Sequence, residues 1–462
     1  RIYGPDHPDS ATILNNLALL FQTQGKLKIA EPLYLKVLRI REKAFEKDHA
    51  SIATTLNNLA AIYHASGNFE KSESFYQRAL EIKEQSLGFN HQSVANSLVN
   101  IGSLHYQKGD HKKAKPLFQR ALKIYEERFG KNHPSVANSI DFLSMIARDK
   151  AVVDGDFSET ERLTLRSLKI KEMNIGNDHP DYASSLLDLA MIYHVQGKSK
   201  KAKTIYHQAL AINVKRNRIG LISKEQGKNI RNYTLPYLML LSQENTHVKE
   251  INADILNAFQ LSRNSDNVTA FQNLAQRLAV SGDGELSRLV RKRQELKKQL
   301  KITEQNLLDI YGKPNLNNFT GVSKGLRDRI KSLNDQELNN SERLNQAFSS
   351  YIEFEGSHLT DLVLLKDTLN PNEAILSWVL GDPVSFQLII RKNGDVILSK
   401  LHVTKREVEK NVRNLLEALD LANPLNNGNL SSFPAALAAR LFEQLFGMNW
   451  KINLEGVKNL LL

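Results

Sequence analysis

The sequence predicts a mainly α fold: a right-handed α-solenoid of helix-turn-helix repeats, then a helical region, then a small, truncated α/β segment. Three observations predict it. A histidine recurs at His7, His49, His91, His133 and His179, spaced three times by 42 residues and once by 46. Seven residues after each comes a shared phrase: LNNLA at 14–18 and 56–60, LVNIG at 98–102, IDFLS at 140–144 and LLDLA at 186–190. A glycine then follows, at Gly25, Gly67, Gly109, Gly155 and Gly197. A fixed period of this length marks an array in which each repeat is one supersecondary unit.

Within a repeat, apolar residues recur at helical spacing on both sides of the glycine, as in Leu14, Leu17, Ala18, Phe21 and then Ala30, Leu33, Tyr34, Val37, Leu38. Each repeat therefore reads as a helix, a turn and a second helix. Ala18, Ala60, Gly102 and Ala190 are small enough for paired helices to approach closely, and Phe21, Tyr63 and Tyr193 fill the space between them. The glycines stand where a helix stops in a left-handed residue. Pro8, Pro134 and Pro180 stand at helix starts, where a missing amide costs little. One helix pair cannot bury its own apolar stripe, so the pairs must stack. The repeats run over about 1–42, 43–84, 85–126, 127–172 and 173–218. The four extra residues of the fourth lie between Ile140 and Gly155, as a longer first helix or turn.

Over residues 1–218 this pattern resembles the tetratricopeptide repeat family, and within it the 42-residue repeats of the kinesin light chains. Repeat four departs most, with Phe142, Thr160 and Thr164 where Asn, Ala and an aromatic are usual. The resemblance implies that peptides bind on a concave face lined by the first helix of each pair. On that register the inward positions are Thr12, Asn15, Asn16, Thr54, Asn57, Asn58, Asn96, Asn100 and Asn138, with Ser184 in repeat five. An Asn amide both donates and accepts, so a ladder of Asn16, Asn58 and Asn100 can hold a peptide backbone without reading its sequence. The alternative is that these amides only bridge neighbouring helices. The ladder breaks at Phe142 and Asp188, which places the best surface on repeats one to three. The five periodic histidines cannot converge on one ion, because stacked helices lie about 8–10 Å apart and zinc needs nitrogens at about 2.0–2.1 Å. They are expected to cap the turn into the next repeat, and His105 to be a packed core histidine.

Residues 219–311 read as a helical extension containing a long helical hairpin, on Phe259, Phe271, Leu274, Leu278 and then Leu286, Leu289, Leu296, Leu300. Basic residues crowd this stretch at Arg288, Arg291, Lys292, Arg293, Lys297, Lys298 and Lys301, and repeat five at Lys198, Lys200, Lys201 and Lys203. Such runs usually form a solvated face. With no stacking aromatics interleaved, a nucleic-acid partner is not expected. Residues 312–345, rich in Asn, Gly, Ser and Lys, read as a linker with a short helix.

In residues 346–462, the segments 374–380, 386–391 and 396–401 are β-prone, and Asn393 followed by Gly394 signals a hairpin. Helices are expected over about 405–421 and 433–446, and a buried strand over 456–462. This order resembles the opening part of a CHAT domain, a caspase-like module. The phrases that carry the likeness are DILNAFQ at 254–260, AVSGDGEL at 279–286, RKRQEL at 291–296 and LNPNEAI at 369–375. The resemblance implies a His and Cys dyad at later strand ends, a thiolate nucleophile with its base. Neither falls in this chain, which has no cysteine and no His-Gly pair; His358 and His402 do not stand at matching positions.

Composition agrees with an ordered globular chain, at 41% hydrophobic and 24% charged residues. No apolar run approaches the ~20 residues of a membrane helix, and no signal peptide is visible. The absence of cysteine excludes disulfides, thiolate metal sites and a cysteine nucleophile within these residues. No cofactor is expected. A net charge of +12 speaks of encounter with acidic partners rather than of function. The expected function is a protein-interaction scaffold holding a peptide or protein partner, as the recruitment part of a tetratricopeptide–CHAT protein. The alternative is the front portion of a caspase-like cysteine protease whose dyad lies beyond residue 462. Missing signals point to the cytoplasm, and solenoid ends without polar caps point to self-association.

Overall fold

The computed structural model describes residues 7–218, 224–242, 255–258, 284–311, 319–347, 369–392, 396–418, 435–446 and 459–461. The chain divides into two compact units, residues 1–176 with 308–319, and residues 177–307 with 320–462. The expectations on Phe259, Phe271, Leu274, Leu278, His358, Asn393 and Gly394 lie outside the described residues.

The first unit holds four helix pairs: α1 (Pro8–Thr23) with α2 (Leu27–Ala44), α3 (Ala50–Ala65) with α4 (Phe69–Leu87), α5 (Gln92–Gln107) with α6 (His111–Phe129), and α7 (Pro134–Asp154) with α8 (Ser158–Ile175). Each pair packs on the next, as a solenoid of paired-helix repeats does. The first helices α1, α3 and α5 have 16 residues each and α7 has 21. The extra residues of repeat four therefore lengthen its first helix.

Both ends of these helices follow from local chemistry. At each start the histidine Nδ1 accepts the backbone N–H two residues on: His7 from Asp9, His49 from Ser51, His91 from Ser93 and His133 from Ser135, at 3.1–3.2 Å. One orphan amide of the first turn is thereby satisfied. Phe45 stacks on His49 at 4.1 Å and Phe129 on His133 at 4.3 Å, fixing those rings. At the end of α1, Gly25 adopts φ +73°. Its N–H reaches the Gln22 carbonyl and the Lys26 N–H the Phe21 carbonyl, both at 2.9 Å, the two bonds of a Schellman turn.

Between the paired helices, an aromatic of the second lies on the small residue of the first. Tyr34 shares a core with Ala18, and Tyr76 with Ala60. In repeat three the fit leaves no room at all: a Cβ on Gly102 would stand 2.8 Å from the Phe118 ring. Repeat four has neither partner. Ser144 and Thr164 occupy the two positions and hydrogen-bond to each other at 2.7 Å, while Phe142 stacks on Phe118 at 4.5 Å.

In the second unit, α9 (Pro180–Val195) and α10 (Ser199–Arg218) form the fifth pair, capped by His179. Helix α11 (Lys224–Leu241) packs on both, with Tyr237 stacked on Tyr206 at 4.9 Å. Two long helices follow, α12 (Glu285–Tyr311) and α13 (Phe319–Ala347). The second of these corrects the sequence reading, which takes most of 312–345 for linker. The residues α13 turns inward are Ser323, Leu333, Asn334, Glu337, Asn340, Ser341 and Leu344, so its helical period is carried largely by polar side chains. Glu337 accepts from Arg293 Nε at 2.9 Å, and both side chains are buried.

The expected strands are present as β1 (Glu373–Val379), β2 (Ser385–Arg391) and β3 (Val396–Leu401), an antiparallel sheet. After α14 (Lys405–Ala418) and α15 (Ala435–Phe446), the short β4 (Asn459–Leu461) joins parallel to β1, in the order β3-β2-β1-β4. Trp378 Nε1 and Gln387 Nε2 both donate to the Leu445 carbonyl, at 2.7 and 2.8 Å, tying α15 to the sheet.

Two stability outcomes are expected. Gly102→Ala forces its methyl into the fully buried Phe118 ring and should cost about 1–3 kcal/mol in chemical denaturation. His91→Ala should cost about 1 kcal/mol, with His91→Asn retaining most of it. The His91 cap accepts only with Nδ1 unprotonated. Burial first, then Arg128 and Lys83, lowers the pKa of this ring in the folded state. Its contribution is therefore complete above the unfolded value of about 6.5 and is lost as pH falls toward the lowered folded value. The wild-type unfolding midpoint should fall on acidification through this window, and less so in His91→Asn.

Candidate peptide-binding face

The residues assigned to the inner face divide into two rows. Thr12, Thr54, Asn96 and Asn138 are exposed and recur every 42 residues, with Asn16 exposed beside them; Ser184 is exposed in repeat five. Asn15, Asn57, Asn58 and Asn100 are half-buried between successive first helices. Asn100 Nδ2 donates to Asn57 Oδ1 at 3.0 Å, and Asn58 Nδ2 to Asn15 Oδ1 at 3.5 Å, the outer limit of a bond. The half-buried amides thus do bridge neighbouring helices. An Asn side chain has two donors and two acceptor lone pairs, so one bridge leaves capacity for a ligand. Asn96 accepts from the Tyr125 hydroxyl at 2.6 Å, and the Thr12 and Thr54 hydroxyls donate back to their own helices, at Pro8 and Ala50.

Those two amide bridges share a separation of 43, one repeat plus one residue. The same separation links pairs the sequence reading did not single out. His64 Nε2 meets Gln107 Oε1 at 2.8 Å, and the Tyr106 hydroxyl donates to Asp149 Oδ2 at 2.8 Å. Burial, then Asp149, raises the Tyr106 pKa to about 12, so the phenol stays a donor. Scanning the sequence for complementary polar types at 43 would have found both pairs. The ladder ends at repeat four for a packing reason: Phe142, in the Asn position, is held flat on Phe118.

His105 is buried as expected, with Glu73 at 3.7 Å. Among the described residues no three His, Asp or Glu side chains are grouped to hold a metal ion, and no helix is long and apolar enough to cross a membrane. Of the basic run of α12, Arg293 is buried on Glu337, while Arg288 and Lys292 line an open cleft of about 910 Å³ together with Lys331 and Arg343 and with Glu285, Asp328 and Asp335.

If the amide bridge between repeats two and three is structural as well as ligand-facing, Asn57→Ala and Asn100→Ala should couple. A double-mutant cycle in urea is expected to return about 0.5–1.5 kcal/mol. Additivity would show that the bond contributes nothing.

Residues 10–51 and 52–93 match one profile described as Tetratricopeptide repeat, and residues 93–150 match another. These matches do not include the segment on which the caspase-like resemblance rests. No curated protein matches the chain. Among solved structures it is similar to BtubC (BKLC) from P. vanneervenii, with 23% identity over 44% of this chain and 80% of that one, at a TM-score of 0.39. It is also similar to a Podosopora anserina protein assigned as a kinesin light chain, with nearly identical TPR-like repeats: 23% identity over 45% of this chain and 97% of that one, TM-score 0.39. Residues 10–150 are tetratricopeptide repeats.

Proposed function

We propose that this chain is a protein-interaction scaffold whose first three repeats hold an extended peptide segment against Thr12, Asn16, Thr54, Asn58, Asn96 and Asn100, with Asn15 and Asn57 holding the amides beneath and Asn138 at the far end. The observation that carries this reading is the uncharged, periodic row of hydrogen-bonding side chains on α1, α3, α5 and α7, half of it exposed and half held in place by the amide bridges. Amides and hydroxyls without charge suit a peptide backbone, whose N–H and C=O groups recur whatever the side chains. Bridged amides lose less freedom on binding than loose ones would, which favours affinity.

For the C-terminal segment the finer reading is the front of a caspase-like module, supported by the LNPNEAI phrase at 369–375 and by a sheet in which β4 lies parallel on β1. On that reading the repeats are the recruitment arm of a larger protein, and any thiolate chemistry belongs to residues outside this cysteine-free chain.

The test is capture from a source lysate by the 462-residue chain, against a variant with Asn16, Asn58 and Asn100 all changed to Ala. The variant is expected to keep its far-UV circular dichroism and lose the partner. Equal retention of the same proteins by both would sink the assignment of the face.

A further inference from the structure

The open cleft on α12 and α13 carries charges of both signs in a fixed order. Two contacts set the antiparallel register of the helices: Asn340 Nδ2 donates to the Leu289 carbonyl at 3.0 Å, and Arg293 Nε to Glu337 Oε1 at 2.9 Å. Counted from Leu289 opposite Asn340, Arg288 and Lys292 lie at the end of the cleft near Arg343, and Asp335 and then Asp328 lie farther along α13. Glu285 meets Arg343 at 3.7 Å, so those two offset each other and leave Arg288 and Lys292 as the charge of that end. At the other end Lys331 stands between two aspartates that outnumber it.

At a rise of about 1.5 Å per residue, Asp335 lies about 9 Å along the axis from the level of Arg288, and Asp328 about 20 Å. Opposite charges that far apart scarcely satisfy each other, because salt screens them over about 8 Å. Among the described residues, Arg288, Lys292, Asp328, Lys331 and Asp335 have neither an ion-pair nor a hydrogen-bond partner. Other charges of the same helices are matched, Arg293 with Glu337 and Glu304 with Arg216. The floor of the cleft is built rather than merely solvated. Asn340 lines it and is only 7% exposed, and its bond to Leu289 uses Nδ2, which leaves Oδ1 as an acceptor there. Gln336 and Asn339, between the two charged ends, add amides that both donate and accept.

We propose that this cleft is a binding site for a short zwitterionic peptide, its carboxylate held by Arg288 and Lys292, its ammonium by the aspartates, and its backbone by Gln336, Asn339 and Asn340. An extended chain advances about 3.3–3.6 Å per residue, so about three to six residues reach from the cationic end to Asp335 or Asp328. A simple anion or cation would engage one end only. A nucleic acid would carry its phosphates past both aspartates, which opposes it. The site uses none of the inner-face residues of the repeats and does not rest on the reading proposed for them.

The test is calorimetric titration of the 462-residue chain with the tetrapeptide Lys-Ala-Ala-Glu, both ends free, up to millimolar concentration. Saturable binding of one peptide per chain is expected, weakening as salt rises. Acetyl-tetraalanine-amide, which has no charge, should not bind. Lys292→Gln and Asp335→Asn, both at exposed positions, should keep the circular dichroism of the parent and each weaken binding several-fold. The variant with Asn16, Asn58 and Asn100 changed to Ala should bind the tetrapeptide as the parent does, which separates this site from the inner face. No saturable binding, equal binding of the uncharged peptide, affinity unchanged in both charge variants, or binding lost in the triple Asn variant overturns the proposal.

Discussion

The contact on which the repeat fold depends is an aromatic ring seated on a small residue of the paired helix. Phe118 on Gly102 is its tightest form, with no space for even one methyl group. Tyr34 and Ala18, and Tyr76 and Ala60, share a core in the same way. The ring brings the two backbones of a pair close, and that closeness turns both apolar stripes toward the next pair. Repeat four shows what the contact must supply by lacking it. With Ser144 and Thr164 in place, the two hydroxyls hydrogen-bond to each other, while Phe142 stacks on Phe118 of the preceding repeat. Phe142 also stands where the fourth Asn of the ladder would be, so its packing on Phe118 limits the candidate binding face.

Around that contact, the caps set the length of each first helix. A histidine Nδ1 begins it and a left-handed glycine ends it, and both act through a few local hydrogen bonds. Repeat four absorbs its four added residues in α7 without disturbing this scheme. Four residues are close to one turn of 3.6, so the helix lengthens while its faces keep their direction. Exposed Val152 and Val153 lie on the added turn.

The inner face shows how a structural role and a binding role can share side chains. Asn57 and Asn100 join successive first helices, as Tyr106 and Asp149 do further along, while Asn16, Thr54 and Asn96 look outward. A different polar device operates in the second unit, where the buried pair of Arg293 and Glu337 joins α12 to α13. Two buried charges contribute little net stability, but mispairing them is expensive, so such a pair suits the selection of one helix register.

Much of this was legible in the sequence because it is local and repeated. The periodic histidines, the glycines, the small and aromatic positions and the three β-prone segments each act within a few residues of chain, and five copies made the helix-pair pattern unmistakable. What the sequence could not decide depends on neighbours distant in the chain. The period of α13 was hidden because its inward side is Ser, Asn and Glu, and only the Arg293 partner makes that side a buried one. Whether Asn58 and Asn100 face a ligand or a neighbouring helix depended on the offset of 43 by which stacked first helices meet. Chain-local hydrogen bonding and periodicity determined the elements and their pairing in repeats; the packing of one element on another decided which polar groups are used up and which apolar ones are left exposed.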